Sequence, residues 1–62
     1  MTMQQIGRII RRTRKAMDLS QAELASVAGV AVRTLSEMEN GKESAHIGLV
    51  LKVLDSLGIE MR

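Results

Sequence analysis

The stretch SQAELASVAGVAVRTLSEMENG, residues 20–41, decides the fold, because it predicts two short helices joined by a glycine turn. Ser20 and Glu23 form the pattern of a capping box, in which each side chain bonds the backbone amide of the other residue at the start of a helix. Gly29 stands where that helix ends, since glycine adopts the left-handed conformation without steric cost. A second helix is predicted from about Ala31 or Val32 to residue 39, before the stop signal Asn-Gly.

Apolar residues recur at helical spacing within both of these short segments. Leu24, Val27 and Ala28 share one face of the first helix, and Leu35 and Met38 lie three residues apart on the second. Such a face is normally turned towards a core. The two helices are therefore expected to pack together across the glycine turn.

This arrangement resembles the helix-turn-helix of the phage repressor and Cro family (Cro/C1-type, Xre-like) at all twenty positions from 21 to 40. Ala25 provides the small residue where the helices cross, Gly29 the turn, and Val30 the buried aliphatic residue that follows. A helix-glycine-helix pattern alone would be weak, because any αα-hairpin can show it. The resemblance implies an all-α, phage-repressor-like bundle of four helices that binds double-stranded DNA through the second helix of the motif.

Length and composition narrow the alternatives. The 62 residues predict a single domain, small enough that burial alone leaves it marginally stable. The chain has no Cys, Pro or aromatic residue, so oligomerisation is the remaining aid to stability. No apolar run approaches the roughly 18 residues of a membrane span and no signal peptide is visible, so we expect a cytoplasmic protein without membrane contact. A net charge of +2 does not by itself indicate nucleic acid.

The segment from Thr2 to Met17 predicts the first helix, on which five of the nine basic residues lie. Its inward positions recur at three and four: Met3, Ile6, Ile10, Thr13 and Met17. An outward basic stripe is either a solvated face or a set of phosphate contacts: Arg8, Arg12 and Lys15. Beside a helix-turn-helix we favour contact with the DNA backbone and assign it to Arg12.

Arg14 falls on the inward side of this first helix, between Ile10 and Met17, so its charge needs an acidic partner. The resemblance implies which one, since the arginine at this position of the family typically pairs with the glutamate of the Glu-Asn-Gly sequence, here Glu39. We therefore assign Arg14 and Glu39 to the architecture of the fold and not to DNA contact.

The second helix of the motif is the recognition helix of this family, and the resemblance places DNA contacts on its outward side. Arg33 is the only one of its first three residues able to form bidentate bonds with guanine O6 and N7. Ala31 and Val32 offer only methyl groups, suited to a thymine methyl. Glu37 is placed to accept from cytosine N4 or to orient Arg33, its i+4 neighbour, and we favour the second. Further predicted contacts flank these positions: Ser20, Gln21, Thr34, Ser36 and Lys42.

Several of these assignments have a plainer alternative. Ser20 and Gln21 would otherwise only cap and solvate their helix, and Thr34 would be structural. Ala31 stands where the family often has a Ser or Thr cap, and the lost cap costs on the order of 1 kcal/mol. Val32 stands where the family commonly has a polar residue that contacts bases. The DNA-sequence specificity is therefore expected to depend on few direct hydrogen bonds and more on DNA shape.

The last helix is predicted from about Ala45 or His46, after a Ser44 cap, to Leu57, with Gly58 as its terminator. Its inward stripe is read as Ile47, Val50, Leu51, Leu54 and Leu57. Leu49 and Val53 fall outside this stripe, and so wide an apolar surface indicates a partner. Residues 59–62 alternate apolar and polar as a short β-strand does, and one strand is not stable alone. We therefore assign residues 45–62 to homodimerisation, with four interface residues: Leu49, Val53, Ile59 and Met61.

The ending Leu-Asp-Ser-Leu-Gly-Ile-Glu-Met-Arg, after one long helix, resembles the HipB-type antitoxins, whose C-terminal strands pair across a two-fold axis. This resemblance implies a homodimer that represses its own operon at a palindromic operator and binds a HipA-like kinase toxin. The alternatives are a phage-type repressor without a toxin, which usually has a fifth helix, and a helical protein-interaction module. We expect no enzyme, cofactor or metal, because one His, no Cys and no paired carboxylates supply no nucleophile and base.

Overall fold

A computed structural model describes residues 1–43 and 46–59 of the chain. Within them lie four helices: α1 (Met3–Ala16), α2 (Gln21–Ala28), α3 (Val32–Glu39) and α4 (Ile47–Ser56). The first helix packs against α3, and α2 packs against both α3 and α4. These residues form helices and turns without a strand, so the expected all-α bundle is confirmed for this part of the chain. No helix in it combines the length and the apolar character needed to cross a membrane.

The starts of α1 and α2 are both fixed by capping boxes. Glu23 donates its backbone N–H to Ser20 Oγ at 3.0 Å, and the Ser20 N–H donates to Glu23 Oε1 at 2.9 Å, as the sequence predicts. Thr2 and Gln5 make the same two bonds at the start of α1, so Thr2 is the cap and not the first helical residue. At its other end α2 stops at Gly29, which has the predicted left-handed conformation with φ 72°.

A small aliphatic core lies where the helices meet. Its largest fully buried side chains come from all four helices: Ile10, Leu24, Leu35, Met38, Val50 and Val53. Leu35 and Met38 are the inward anchors that the sequence predicts for α3. Because both are completely covered, the opposite side of α3 is left facing solvent.

Gly7 marks the closest approach of α1 to α3. A Cβ atom on Gly7 would stand 2.3 Å from the Met38 carbonyl oxygen and 2.9 Å from that of Glu39. The two backbones therefore touch at this point, and any side chain would force them apart. The apolar periodicity of α1 gives no reason for this glycine, whereas the packing does.

The inward face of α4 is rotated from the predicted one. Val53 is completely buried, whereas Ile47 and Leu51 are 61% and 46% exposed. Positions 47, 50, 51 and 54 and positions 50, 53, 54 and 57 satisfy the same helical spacing, so periodicity alone does not choose between them. The assignment of Val53 to a dimer interface is therefore wrong, because the chain's own core covers it. Leu49 is half-buried and also packs against the core.

Two further apolar residues lie outside the core that the sequence predicts for them. Val27 is 69% exposed, because α2 turns Leu24, Ala25 and Ala28 inward. Met17 is 50% exposed at the C-cap of α1, just after the last helical residue, Ala16. Of the predicted C-terminal strand only Ile59 is described, and it packs against the core. The Ser44 cap and Met61 lie outside the described residues.

Candidate nucleic-acid interface

The predicted base-reading residues are brought together on the outer side of α3. Ala31, Val32 and Arg33 are all exposed at the start of the helix, and Thr34 and Ser36 are half-buried. Ala31 has an extended backbone, with φ −70° and ψ 146°, and no side-chain bond caps the helix, as the sequence predicts. The helix is thus held by its buried anchors and not by a cap.

Glu37 bonds a different partner from the one expected. Its Oε2 accepts from Lys42 Nζ at 2.5 Å, and its backbone carbonyl accepts from the Lys42 N–H at 3.0 Å. The Lys42 hydrogen bond and the charges of Lys42 and Arg33 lower the pKa of Glu37 despite some desolvation. The prediction that Glu37 orients Arg33 is therefore wrong: Glu37 forms an ion pair with Lys42 at the end of α3. Arg33 affects Glu37 only through its charge.

A buried network joins α1, α2 and α3 behind this surface. Arg14 Nε donates to Glu39 Oε2 at 2.7 Å, and Arg14 Nη2 donates to Glu39 Oε1 at 3.0 Å. A third donor, Arg14 Nη1, bonds the Leu19 carbonyl at 2.8 Å. The ion pair implied by the family resemblance is thus formed, with both residues less than a tenth exposed.

The charges of this network stabilise one another. Burial raises the pKa of Glu39, but hydrogen bonds from Arg14 and Gln21, with the charges of Arg14 and Arg11, bring it below its usual value of 4.5. The hydrogen bond to Glu39 in turn raises the pKa of Arg14, against the opposing effect of burial. Both residues are therefore charged at neutral pH, which fits a structural pair.

Gln21 and Ser20 already have partners inside the fold. Gln21 is half-buried and donates through Nε2 to Glu39 Oε1 at 3.1 Å, which ties the start of α2 to the end of α3. Ser20 Oγ accepts the capping bond from Glu23. Each retains hydrogen-bonding capacity for a phosphate, Gln21 through its second N–H and Ser20 through its hydroxyl hydrogen.

A cleft between α1 and the end of α3 is a feature that the sequence interpretation missed. It measures about 290 Å³ and has five lining residues: Gln4, Arg8, Arg11, Glu39 and Asn40. Gln4, Arg8 and Arg11 are spaced four and three apart on α1, so helical spacing places them on one face. The same spacing also groups Arg8 with Arg12 and Lys15, which is the outward basic stripe predicted from the sequence. Arg12 is exposed on α1 beside the cleft arginines. Among residues 1–43 and 46–59, no three His, Asp or Glu residues are grouped as metal ligands.

Comparison with known proteins agrees with this geometry. The profile of the family described as helix-turn-helix matches residues 10–62. The chain is 51% identical over 53 residues to the uncharacterized HTH-type transcriptional regulator y4mF of Sinorhizobium fredii, a match that covers 86% of this chain and 70% of that protein. A solved structure named MDT Protein has a TM-score of 0.90 and 26% identity to this chain, over 100% of this chain and 87% of its own.

Other relatives are much longer than this chain. The uncharacterized HTH-type transcriptional regulator Rv0023 of Mycobacterium tuberculosis is 37% identical over 59 residues, which are 95% of this chain but only 23% of that protein. A putative HTH-type transcriptional regulatory protein of Methanosarcina barkeri is 36% identical over 55 residues, or 17% of its length. The similarity to these two proteins is therefore confined to one part of each.

Proposed function

The chain belongs to the helix-turn-helix family, a family of DNA-binding transcriptional regulators and not of enzymes, and on this basis we propose that it is a homodimeric repressor of a palindromic operator. One observation carries the proposal: α3 buries Leu35 and Met38 and leaves Val32 and Arg33 exposed. Two such helices, related by a two-fold axis, enter successive major grooves about 34 Å apart. Repression then follows from occupancy of the operator.

Base reading is assigned to the outer side of α3. Arg33 forms paired bonds with guanine O6 and N7, and Ala31 and Val32 meet thymine methyl groups. Glu37 reaches a cytosine amino group once Lys42 turns to a phosphate. The remaining contacts are to the backbone or to base edges beside α3: Ser20, Gln21, Thr34, Ser36, Lys42 and Arg12.

Dimerisation is assigned to the C-terminal part of the chain. We propose that residues 59–62 pair with the same segment of a second copy, with Leu49, Ile59 and Met61 at the contact. Ile47 and Leu51 lie one turn apart on α4 and are both exposed, and adjacent exposed apolar side chains of this kind support a partner on α4. Size-exclusion chromatography with light scattering tests the dimer, and a monomer at micromolar concentration contradicts it.

We further propose that the protein is the antitoxin of a toxin–antitoxin pair, which represses its own operon and binds a HipA-like kinase toxin. The similarity of its C-terminal sequence to HipB-type antitoxins supports this. Co-expression with the product of the neighbouring open reading frame is expected to yield a stable complex that binds the operator more tightly than the dimer alone. A regulator that binds its operator but no such product would instead be a phage-type repressor.

An Arg33→Ala variant tests the base-reading assignment. The operator is first selected from random duplexes, and the affinities for it and for scrambled DNA are then measured at several salt concentrations. Loss of a bidentate contact is worth about 1–3 kcal/mol, so preference for the operator is expected to fall roughly 5- to 150-fold. Lys52→Ala, an exposed position on α4, removes the same charge and serves as the control. An unchanged preference in the Arg33 variant contradicts the assignment.

A further inference from the structure

We propose that the cleft between α1 and the end of α3 binds one phosphate group of the DNA backbone, with Arg8 and Arg11 as its ligands. The proposal rests on the DNA-binding function above and adds a site to it. Both arginines lie outside the helix-turn-helix motif; Arg8 belongs to the outward basic stripe of α1, whereas Arg11 was assigned no contact from the sequence.

The cleft is built by rigid elements. Gln4, Arg8 and Arg11 form one wall on α1, and Asn40 closes the other side just after α3. The contact of Gly7 with the Met38 and Glu39 carbonyls fixes the distance between these walls. Gln4 in turn lies against Gly41, since its Cα and Cγ stand 2.8 and 2.7 Å from where a Cβ on Gly41 would be. The positions from which the arginines extend are therefore set before any ligand arrives.

The charge of the cleft favours an anion. Glu39 is the one acidic residue of the cleft. Both of its carboxylate oxygens accept hydrogen bonds from Arg14 or Gln21, and the charge of Arg14 balances that of Glu39. Arg8 and Arg11 are exposed, and the ion pairs among the described residues, Arg14–Glu39 and Lys42–Glu37, do not involve them. Among the described residues these two exposed guanidinium groups therefore have no ion-pair partner, and their planar forks match phosphate oxygens.

The position of the cleft relative to α3 favours the DNA backbone as the source of that phosphate. A helix of eight residues is about 12 Å long, and the major groove is about 12 Å wide. If α3 lies across the groove, residues just beyond its end come near the strand that borders the groove. Asn40 is the first of these residues and lines the cleft, and Lys42 follows two positions later, with its N–H bonded to the Glu37 carbonyl.

Salt dependence of DNA binding tests the site. The Arg8→Gln, Arg11→Gln double variant is expected to lower the slope of log affinity against log salt by about 0.9 for each occupied cleft. Lys52→Glu changes the net charge by the same amount at a site on α4 and is expected to leave the slope unaltered. Arg8→Lys, Arg11→Lys keeps both charges and is expected to retain most of the slope. Circular dichroism checks that each variant is folded.

A second measurement uses duplexes with single methylphosphonate substitutions, which remove the charge of one phosphate at a time. One substitution in each half-site is expected to weaken the wild type but to have little further effect on the Arg8, Arg11 double variant. If no position shows this coupling, or if Lys52→Glu lowers the slope as much as the double variant, the cleft is not a phosphate site. A wild type that binds no duplex at low salt instead contradicts the proposed function itself.

Discussion

Gly7 shows how one small residue fixes the position of the recognition helix. Its α carbon lies against the carbonyls at the end of α3, where even a methyl group has no space. These carbonyls are backbone atoms of a helix and cannot rotate away as a flexible side chain can. The angle between α1 and α3 therefore depends on the absence of a side chain at this position.

We expect Gly7→Ala to destabilise the protein although alanine is the better helix former. Overpacking costs about 1–3 kcal/mol, more than the roughly 0.5–1 kcal/mol gained in helix propensity. Urea denaturation measures the change. Gly48→Ala on α4 is the control, because the nearest atom to its new Cβ is His46 Nδ1 at 3.4 Å; it is expected to be neutral or stabilising. Equal effects at the two positions would show that close packing at Gly7 is not the cause.

The four helices differ in how their first turns are stabilised. In α1 and α2 a capping box satisfies backbone amides, whereas the N-cap residues of α3 and α4, Ala31 and His46, make no side-chain capping bond. The recognition helix therefore depends on tertiary packing of Leu35 and Met38 for its stability. Its first turn is the least secured of the motif.

We expect Ala31→Ser to stabilise the protein by about 1 kcal/mol, because the backbone at residue 31 already has the extended conformation of a cap. Thermal and urea denaturation measure the gain. Ser20→Ala, which removes an existing cap, is expected to lose about the same amount. No gain at Ala31, together with a clear loss at Ser20, would mean that the first turn of α3 is held by other contacts.

Local signals in the sequence were the ones that predicted structure correctly. The Ser20–Glu23 cap, the turn at Gly29 and the bounds of α3 each depend on residues within a few positions of one another. The face of α4 was not predictable in this way, because two overlapping sets of its apolar residues have helical spacing. Tertiary packing buries Val53 and leaves Leu51 exposed, and the spacing carries no information about that choice.

The candidate site shows the same division. The exposed start of α3 followed from the positions of its two inward anchors. The bond from Glu37 to Lys42 and the cleft beside Arg11 both join a helix to residues of another segment. Such pairs depend on the tertiary arrangement, about which the helical spacing of either segment carries no information.

The Arg14–Glu39 pair, together with the bond from Gln21 to Glu39, joins three helices and thereby links the stability of the whole molecule to pH. Because the pKa of Glu39 is lower in the folded state than its usual value of 4.5, its contribution to stability is complete above that value. The contribution is lost as the pH falls through the lowered pKa, when the buried carboxylate takes up a proton. Acid therefore weakens the bonds from Arg14 and Gln21 to Glu39 that connect α1, α2 and α3.

We expect the free energy of unfolding to fall steeply below about pH 4.5 and this dependence to flatten in Glu39→Gln, which should cost roughly 3–5 kcal/mol at neutral pH because Arg14 loses its partner. Urea denaturation at each pH measures both. Glu37→Gln, in the exposed pair with Lys42, is expected to change the profile far less. If Glu39→Gln is unfolded, NMR titration of the Glu39 carboxyl in the wild type replaces it, and an unshifted pKa contradicts the prediction.

The buried anchors of α3 hold the core, whereas its uncapped, solvent-facing first turn carries the proposed base contacts. Core packing and DNA specificity therefore depend on different residues. Residues 31–33 make no contribution to the core, so exchanging them leaves the scaffold intact. The same framework is thus open to retargeting: libraries randomised at these three positions would explore new operators while every member keeps the same buried core.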